Sequence, residues 1–256
     1  MKPNSPVATI NNQHLLRLLQ LASPLLPVGG YSYSEGLESP IAQEIIHDRI
    51  TLQAWIEREL RVGAIRVETA IMDRAYLAGL ESNTERLQYW NQWLSAARET
   101  EELRQQSWQM GGSLAKLAIE LTPEIQDVIT AIVGGACGQD YTPCNYAIAF
   151  GIIAQHWQVG SPPEQLLLGQ TRYRQRQTTI AAYLHSWVTN SLGAGVKLIP
   201  LGQTAGQQIL WELQGEIEAL AQTIPDFTDD DLYACSWGLS LASMQHETLY
   251  SRLFRS

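Results

Sequence analysis

Six times in this chain a serine or threonine stands directly before a proline, and four of these pairs read as helix starts: Ser39-Pro40, Thr122-Pro123, Thr142-Pro143 and Ser161-Pro162. The hydroxyl can accept from an orphan N–H at a helix start, and proline's fixed φ suits the first helical position. Ser161 with Glu164, and Thr204 with Gln207, add the spacing of a capping box. A chain punctuated in this way is committed to many helices, provided the segments behind the starts carry an apolar stripe.

They do. Leu103, Met110, Leu114, Leu117 and Leu121 share one face at the helical period, with Lys116 and Glu120 off it. Ile180, Tyr183, Leu184, Trp187 and Val188 repeat the pattern, as do Ile209, Leu213, Ile217 and Leu220. Strand-like alternation hardly outlasts four residues. Gly134-Gly135 reads as a helix end, and Gly111-Gly112 as a place where helices approach closely. The polar, basic run Thr171 to Thr179 either extends a helix or forms a surface excursion. No repeat, long linker or low-complexity tract divides the chain. The expectation is an all-α fold, one domain over residues 1–256 with roughly eight to ten helices. Residues 1–12 and 251–256 are expected to be flexible tails until something binds them.

With 256 residues, 45% apolar and only 17% charged, the chain can bury a full core and has too little charge for disorder. That low charge also suggests apolar surface reserved for partners. A net charge of −9 argues against nucleic acid, since a phosphate backbone repels an acidic body. An RNA-binding role for Arg172, Arg174 and Arg176 is therefore the weakest alternative. Cys137, Cys144 and Cys235 are odd in number and scattered, which fits a reducing cytosol and a cytoplasmic location. The N-terminal stretch lacks a long apolar segment, and no run of 18 apolar residues exists, so neither a secretory signal nor a membrane span is expected.

Catalytic patterns are incomplete. Gly193-Ala194-Gly195-Val196-Lys197 lacks the Gly-Lys-Ser/Thr of a phosphate loop and reads as packing and turn. His246-Glu247 begins a zinc-protease helix, but Tyr250 stands where the second histidine belongs. A metal-dependent hydrolase using His246 and Glu247 with distant ligands is kept as the alternative to a binding role. Gly30-Tyr31-Ser32-Tyr33-Ser34 approaches a nucleophile elbow without its last glycine. Cys137 and Cys144 read as small buried side chains, and His14, His47, His156 and His185 stand singly. Asp226, Asp229, Asp230 and Asp231 precede an apolar helix, where carboxylates cap N–H groups and favour the positive dipole end.

Two segments remain unexplained by chemistry. Leu15, Leu16, Leu18, Leu19 and Leu21 suggest a short buried helix ended by Pro24. Pro27, Gly29 and Gly30 then fix a bend, followed by Tyr31, Tyr33 and Glu35. The tyrosines either present rigid amphipathic area to a partner or pack inside, and the residues alone leave both open. At the other end, Arg252-Leu253-Phe254-Arg255 sets an apolar pair between arginines, suited to ordering on a partner's groove or to folding back on its own core. In Arg98 to Met110, Arg98 with Glu102 and Glu101 with Gln105 are spaced as i,i+4 pairs.

These blocks carry a resemblance. LLQLASPLLPVGGYSYSEGLE at 18–38, RETEELRQQSWQMGGSL at 98–114, LIPLGQT at 198–204 followed by Gly206-Gln207, and SMQHETLYSRLFRS at 243–256 resemble, in order, the signatures of the UreF family of urease accessory proteins. The TRYRQRQTT run is less familiar there. The resemblance implies an all-α, dimerising, non-catalytic scaffold that binds UreD (UreH in some species) and recruits the nickel-binding GTPase UreG. The assembly would deliver nickel to apo-urease. No cofactor is implied on this chain itself; nickel and GTP would enter through the partners. By matching residues, Tyr31, Ser32, Glu35 and Gly36 would lie near the complex interface. Arg252, Leu253, Phe254 and Arg255 would form a tail ordered on UreD that helps recruit UreG, with His246 and Glu247 in the same partner-facing block. Arg98, Glu99, Glu102, Gln109 and Met110 would be dimer-forming or structural.

Overall fold

The computed structural model describes residues 12–133, 143–159 and 168–256. Among them twelve α-helices follow in chain order with no strand. They are α1 (Asn12–Leu21), α2 (Glu38–Ala42), α3 (Arg49–Val62), α4 (Ala64–Leu80), α5 (Thr84–Ala97) and α6 (Glu101–Leu121), then α7 (Gln126–Val133), α8 (Tyr146–His156), α9 (Leu168–Leu198), α10 (Gln203–Glu212), α11 (Gln214–Thr223) and α12 (Trp237–His246). The all-α expectation holds.

The centre is the crossing of α4 and α8. Ala147 to Ala154 of α8 are buried without a break, as the all-round apolar sequence AIAFGIIA requires. Gly151 faces the Met72 carbonyl so closely that no side chain fits between the helices. Around this pair α9 runs for 31 residues and packs on α4, α10 and α11. The Gly193–Lys197 run lies inside that helix rather than in a turn, and Gly195 admits the Leu52 side chain. The basic run also belongs to α9. Arg176 is held by Asp73 at 2.9 and 2.6 Å and by the Pro225 carbonyl at 2.7 Å, while Arg172 and Arg174 are exposed.

The periodic stripes place most helices, but several boundaries differ. Of the hydroxyl–proline pairs, Pro123 does open a 3-10 turn at Pro123–Ile125, yet the Thr122 hydroxyl turns back to donate to the Ala118 carbonyl. Ser39-Pro40 lies within α2 and Thr204 within α10, so neither hydroxyl caps. Side-chain caps come instead from Asp48, Asn83 and Thr100. Thr142, Ser161-Pro162, Glu164, Gly134-Gly135, Cys137 and residues 1–11 lie outside the described residues.

Three expectations need correction. The Ile209–Leu220 stripe is two helices joined at Leu213, because the chain turns there while keeping its apolar side inward. In α1, Leu21 is buried, but Leu15, Leu16 and Leu19 are exposed, so this is a half-covered helix and not a buried one. The acidic run sits well before α12, which starts at Trp237, and caps nothing there. Asp229 pairs with Arg74 at 2.9 Å, and Asp231 accepts from the Thr228 N–H and hydroxyl, both at 2.8 Å. These contacts tie a 3-10 turn to α4.

Candidate functional site: the glycine–tyrosine loop and the seated terminus

Between α1 and α2 the chain passes through two left-handed positions in succession, Glu35 at φ 52° and Gly36 at φ 76°. That reversal is possible at Gly36 without cost, whereas Glu35 is strained by it. Gly36 also lies against α12: a Cβ there would meet the Ser243 nitrogen at 3.2 Å. Replacement of Gly36 by alanine should cost about 1–2 kcal/mol from the backbone conformation alone, and more from the crowding at Ser243. Gly29, at φ 77° with open space around it, isolates the first component. Thermal melts of Gly36→Ala and Gly29→Ala should therefore differ, with the Gly36 variant the less stable; equal losses would show that the α12 contact has no energetic weight.

The loop aims Glu35 inward. The residue keeps some exposed surface, but its carboxyl end is enclosed, accepting from Trp187 Nε1 and from Gln106 Nε2 at 3.0 Å. A cavity of about 60 Å³ lies beside it, lined among others by Glu68, Arg98, Tyr146 and Tyr183. Glu68 of α4 pairs with Arg98 at 2.6 Å and accepts from the Tyr183 hydroxyl at 2.6 Å. Burial, then repulsion from Glu68, pushes the Glu35 carboxyl up to about 7, against the opposing pull of Arg98 and the two hydrogen bonds. Arg98 thus does not pair with Glu102, as the spacing predicts. Helix α5 ends at Ala97, Arg98 is extended, and Thr100 caps the next helix, so the two residues never share a helix face. Glu101 and Gln105, both inside α6, do pair, at 2.6 Å. Glu99 is partly buried and its Oε2 has no hydrogen-bond partner among the described residues.

The C-terminal residues are seated on this loop. The Leu253 and Phe254 N–H groups donate to the two oxygens of Glu38 at 2.6 and 3.0 Å. The Arg255 N–H donates to the Ser32 carbonyl at 2.9 Å, and the Ser34 N–H and hydroxyl both reach the Ser256 carbonyl, at 2.7 and 2.5 Å. Phe254 is buried, with the Lys197 ammonium 5.6 Å from its ring centre. Of the two fates open to the Leu253–Phe254 pair, Phe254 takes the inward one and Leu253 the outward one. His246, fully buried, bridges Glu102 at 2.8 Å and Glu38 at 3.3 Å, and Arg252 reaches Glu102 at 2.8 Å.

The residues singled out in sequence therefore divide. Glu35, Gly36, Arg98, Glu102, Met110, His246 and Phe254 lie inside or line the interior; Met110 borders the cavity. Tyr31, Gln109, Glu247, Arg252, Leu253 and Arg255 face outward, and Ser32 is half-buried. Gln109 accepts from the Tyr33 hydroxyl at 2.5 Å, so of the two tyrosines Tyr33 packs inside and Tyr31 is exposed. His246 and Glu247 do not converge on a common centre, and among the described residues no group of three or more His, Cys, Asp or Glu side chains is arranged to hold a metal ion. No helix among them is long and apolar enough to cross a membrane. Sequence reasoning missed Glu38, Glu68, Gln106, Trp187 and Ser256. For Glu68 a signal existed: with Arg66, Asp73 and Arg74 it is one of four charges inside the largely apolar AIRVETAIMDRAYLAGL helix.

Apolar side chains are exposed on α12 and on the residues that follow it. Trp237, Leu241 and Met244 form an exposed stripe on α12, and Tyr250 and Leu253 are exposed after it in the chain.

A family model described as UreF matches residues 46–214. Urease accessory protein UreF of a Nostoc species is 53% identical over 97% of this chain and 98% of its own length. The Microcystis aeruginosa protein of the same name is 47% identical over 96% of this chain and its full length. That of a Janthinobacterium species is 37% identical over 95% of this chain and 99% of its own length. The chain belongs to the UreF family of urease accessory proteins.

Proposed function

We propose that this chain is a non-catalytic scaffold of urease maturation that binds UreD (UreH) and recruits the GTPase UreG, so that nickel is inserted into apo-urease. A homodimer is part of the same reading, and so is an action on the GTPase cycle of UreG. Nickel and GTP are handled by the partners, and the cytoplasm is the compartment where they meet. The observation that carries the proposal is the seated terminus. Its backbone is pinned by Glu38, Ser32 and Ser34, while Arg252, Leu253 and Arg255 are turned outward. A preorganised segment that turns an apolar side chain and two arginines outward suits protein recognition, since less ordering entropy is lost on docking.

The test is assembly. The purified chain, mixed with the UreD and nucleotide-loaded UreG of its own source, should give a discrete complex containing all three, with its mass read by size exclusion and light scattering. Absence of such a complex with well-folded partners, across salt and nucleotide conditions, would remove the proposal. Arg255→Ala should weaken this assembly while circular dichroism stays helical, because the side chain is exposed and only the backbone N–H is used internally. Unchanged assembly would remove Arg255 from the contact surface.

A further inference from the structure

We infer that the Glu35 carboxyl is a proton-operated latch for the C-terminal segment: protonated, it keeps the 29–36 loop and residues 252–256 together on the body; ionised, it lets the segment go. The latch goes beyond the assembly reading and stands whether or not the three-protein complex forms.

The geometry is a shared ladder. Gln106 gives its amide N–H to Glu35 at 3.0 Å and accepts from the Ser256 hydroxyl at 2.5 Å through its other end. Ser34, next to Glu35, holds the Ser256 carbonyl through both its N–H and its hydroxyl. Ser32, three positions before Glu35, holds Arg255. Any shift that pulls the Glu35 carboxyl out of its niche moves three of the anchors of the terminus. Glu35 sits at a left-handed φ, so strain already favours release.

The charges facing Glu35 decide which protonation state fits the niche. Across the cavity stand Glu68 of α4, Arg98 between α5 and α6, Tyr146 of α8 and Tyr183 of α9. On the other side Glu59 of α3 shares a small enclosed space with Glu35, Trp55 and Trp187. The guanidinium is already committed to Glu68 at 2.6 Å. Three carboxyls and one engaged cation leave no charge free to balance an ionised Glu35 away from water. Burial and Glu68 accordingly hold its carboxyl at about 7, against 4.5 for the free group. The sign follows from linkage: the seated state binds the extra proton between these two values, so seating weakens as pH rises through that window and levels off above it. His246, Glu38, Glu102 and Arg252 touch the same terminus, and Glu59, whose carboxyl is likewise pushed up by burial to about 7, must be separated from this effect.

Hydrogen exchange on the intact chain, corrected for the intrinsic pH dependence, separates them. Protection of the Leu253, Phe254 and Arg255 amides should fall on the order of tenfold between pH 5.5 and 8, while α8 amides stay constant. In Glu35→Gln, which mimics the neutral acid, protection should stay high and flat. A flat profile in the unaltered chain overturns the latch, and so does a slope that survives Glu35→Gln, since that slope would belong to another group such as Glu59, whose carboxyl is also raised to about 7. Should the variant fold poorly, carbon-13 carboxyl NMR of the glutamate-labelled natural chain supplies the second readout. A Glu35 carboxyl titrating together with the terminus supports the latch, and one that stays ionised down to pH 5 overturns it.

Discussion

Gly111→Ala and Gly112→Ala, two adjacent changes in one helix, should move stability in opposite directions. A Cβ on Gly111 would lie 2.6 Å from the Asn145 carbonyl carbon and 2.7 Å from the Tyr146 nitrogen, with the Cys144 oxygen closer still. These are backbone atoms at the start of α8 and cannot swing away. Helix α6 must back off α8, straining the polar knot there. In that knot Ser107 donates to Asn145 Oδ1 at 3.0 Å, and Asn145 donates to Asn91 and Ser95 at 2.9 and 2.8 Å. Overpacking of this kind reaches about 3 kcal/mol or more, which outweighs the roughly 1 kcal/mol that alanine gains over glycine in a helix. Gly112 has open space around its Cβ direction and should show only that gain. Urea titrations of the two variants, followed by tryptophan fluorescence, decide the matter. Similar midpoints would mean that α6 and α8 are not locked at Gly111.

That contrast shows where the sequence is legible and where it stops. The Gly-Gly pair marks a close approach, but which glycine faces the neighbour depends on the phase of a helix whose start at Thr100 lies inside a run of good helix formers. The signal was present, a threonine followed by two glutamates, yet it competes with a periodic pattern that continues across it. The same break explains why Arg98 leaves Glu102 for Glu68, thirty residues away, a pairing that no local spacing encodes. Helices were readable because burial forces apolar residues onto one face every 3.6 positions. Their ends were less so, because Asn83 caps through a single hydrogen bond and Asp48 through a box closed with Thr51, contacts that other polar residues could also make.

For the site, the sequence marks Tyr31 to Gly36 and Arg252 to Arg255 as unusual but not that they meet. Their meeting rests on Glu38 accepting from two amides more than two hundred positions later, and on Ser34 reaching Ser256. Long-range backbone acceptance leaves no residue-type signature, since any residue but proline donates an N–H. The same holds for Tyr31 and Tyr33, which share a residue type and neighbourhood and part only because one phenol reaches Gln109.

The second large effect is expected at Arg98. Its side chain is 12% exposed and pairs with a Glu68 side chain that is 9% exposed, beside the enclosed carboxyl of Glu35. Arg98→Met keeps much of the apolar stem but leaves both carboxyls facing each other across the cavity without their cation. Removing one partner of such a pair costs about 3–5 kcal/mol, enough to consume a large part of the stability of a domain. The loss must also depend on pH. Without the guanidinium, which alone among the described cations opposes the upward push on Glu35 there, that carboxyl moves further above the 4.5 of the free group. A folded-state carboxyl held high binds protons that the unfolded chain releases, so the variant's deficit is greatest at pH 8 and shrinks as the pH falls toward 5. Urea midpoints of Arg98→Met at the two pH values test this, and Arg98→Met combined with Glu68→Gln tests its cause. The double variant removes both charges, and the introduced amide oxygen can still accept from the Tyr183 hydroxyl, so it should recover part of the loss through a measurable coupling. A deficit that is equal at both pH values, or a double variant whose losses simply add, would show that Arg98 acts through packing and not through the carboxyls it faces.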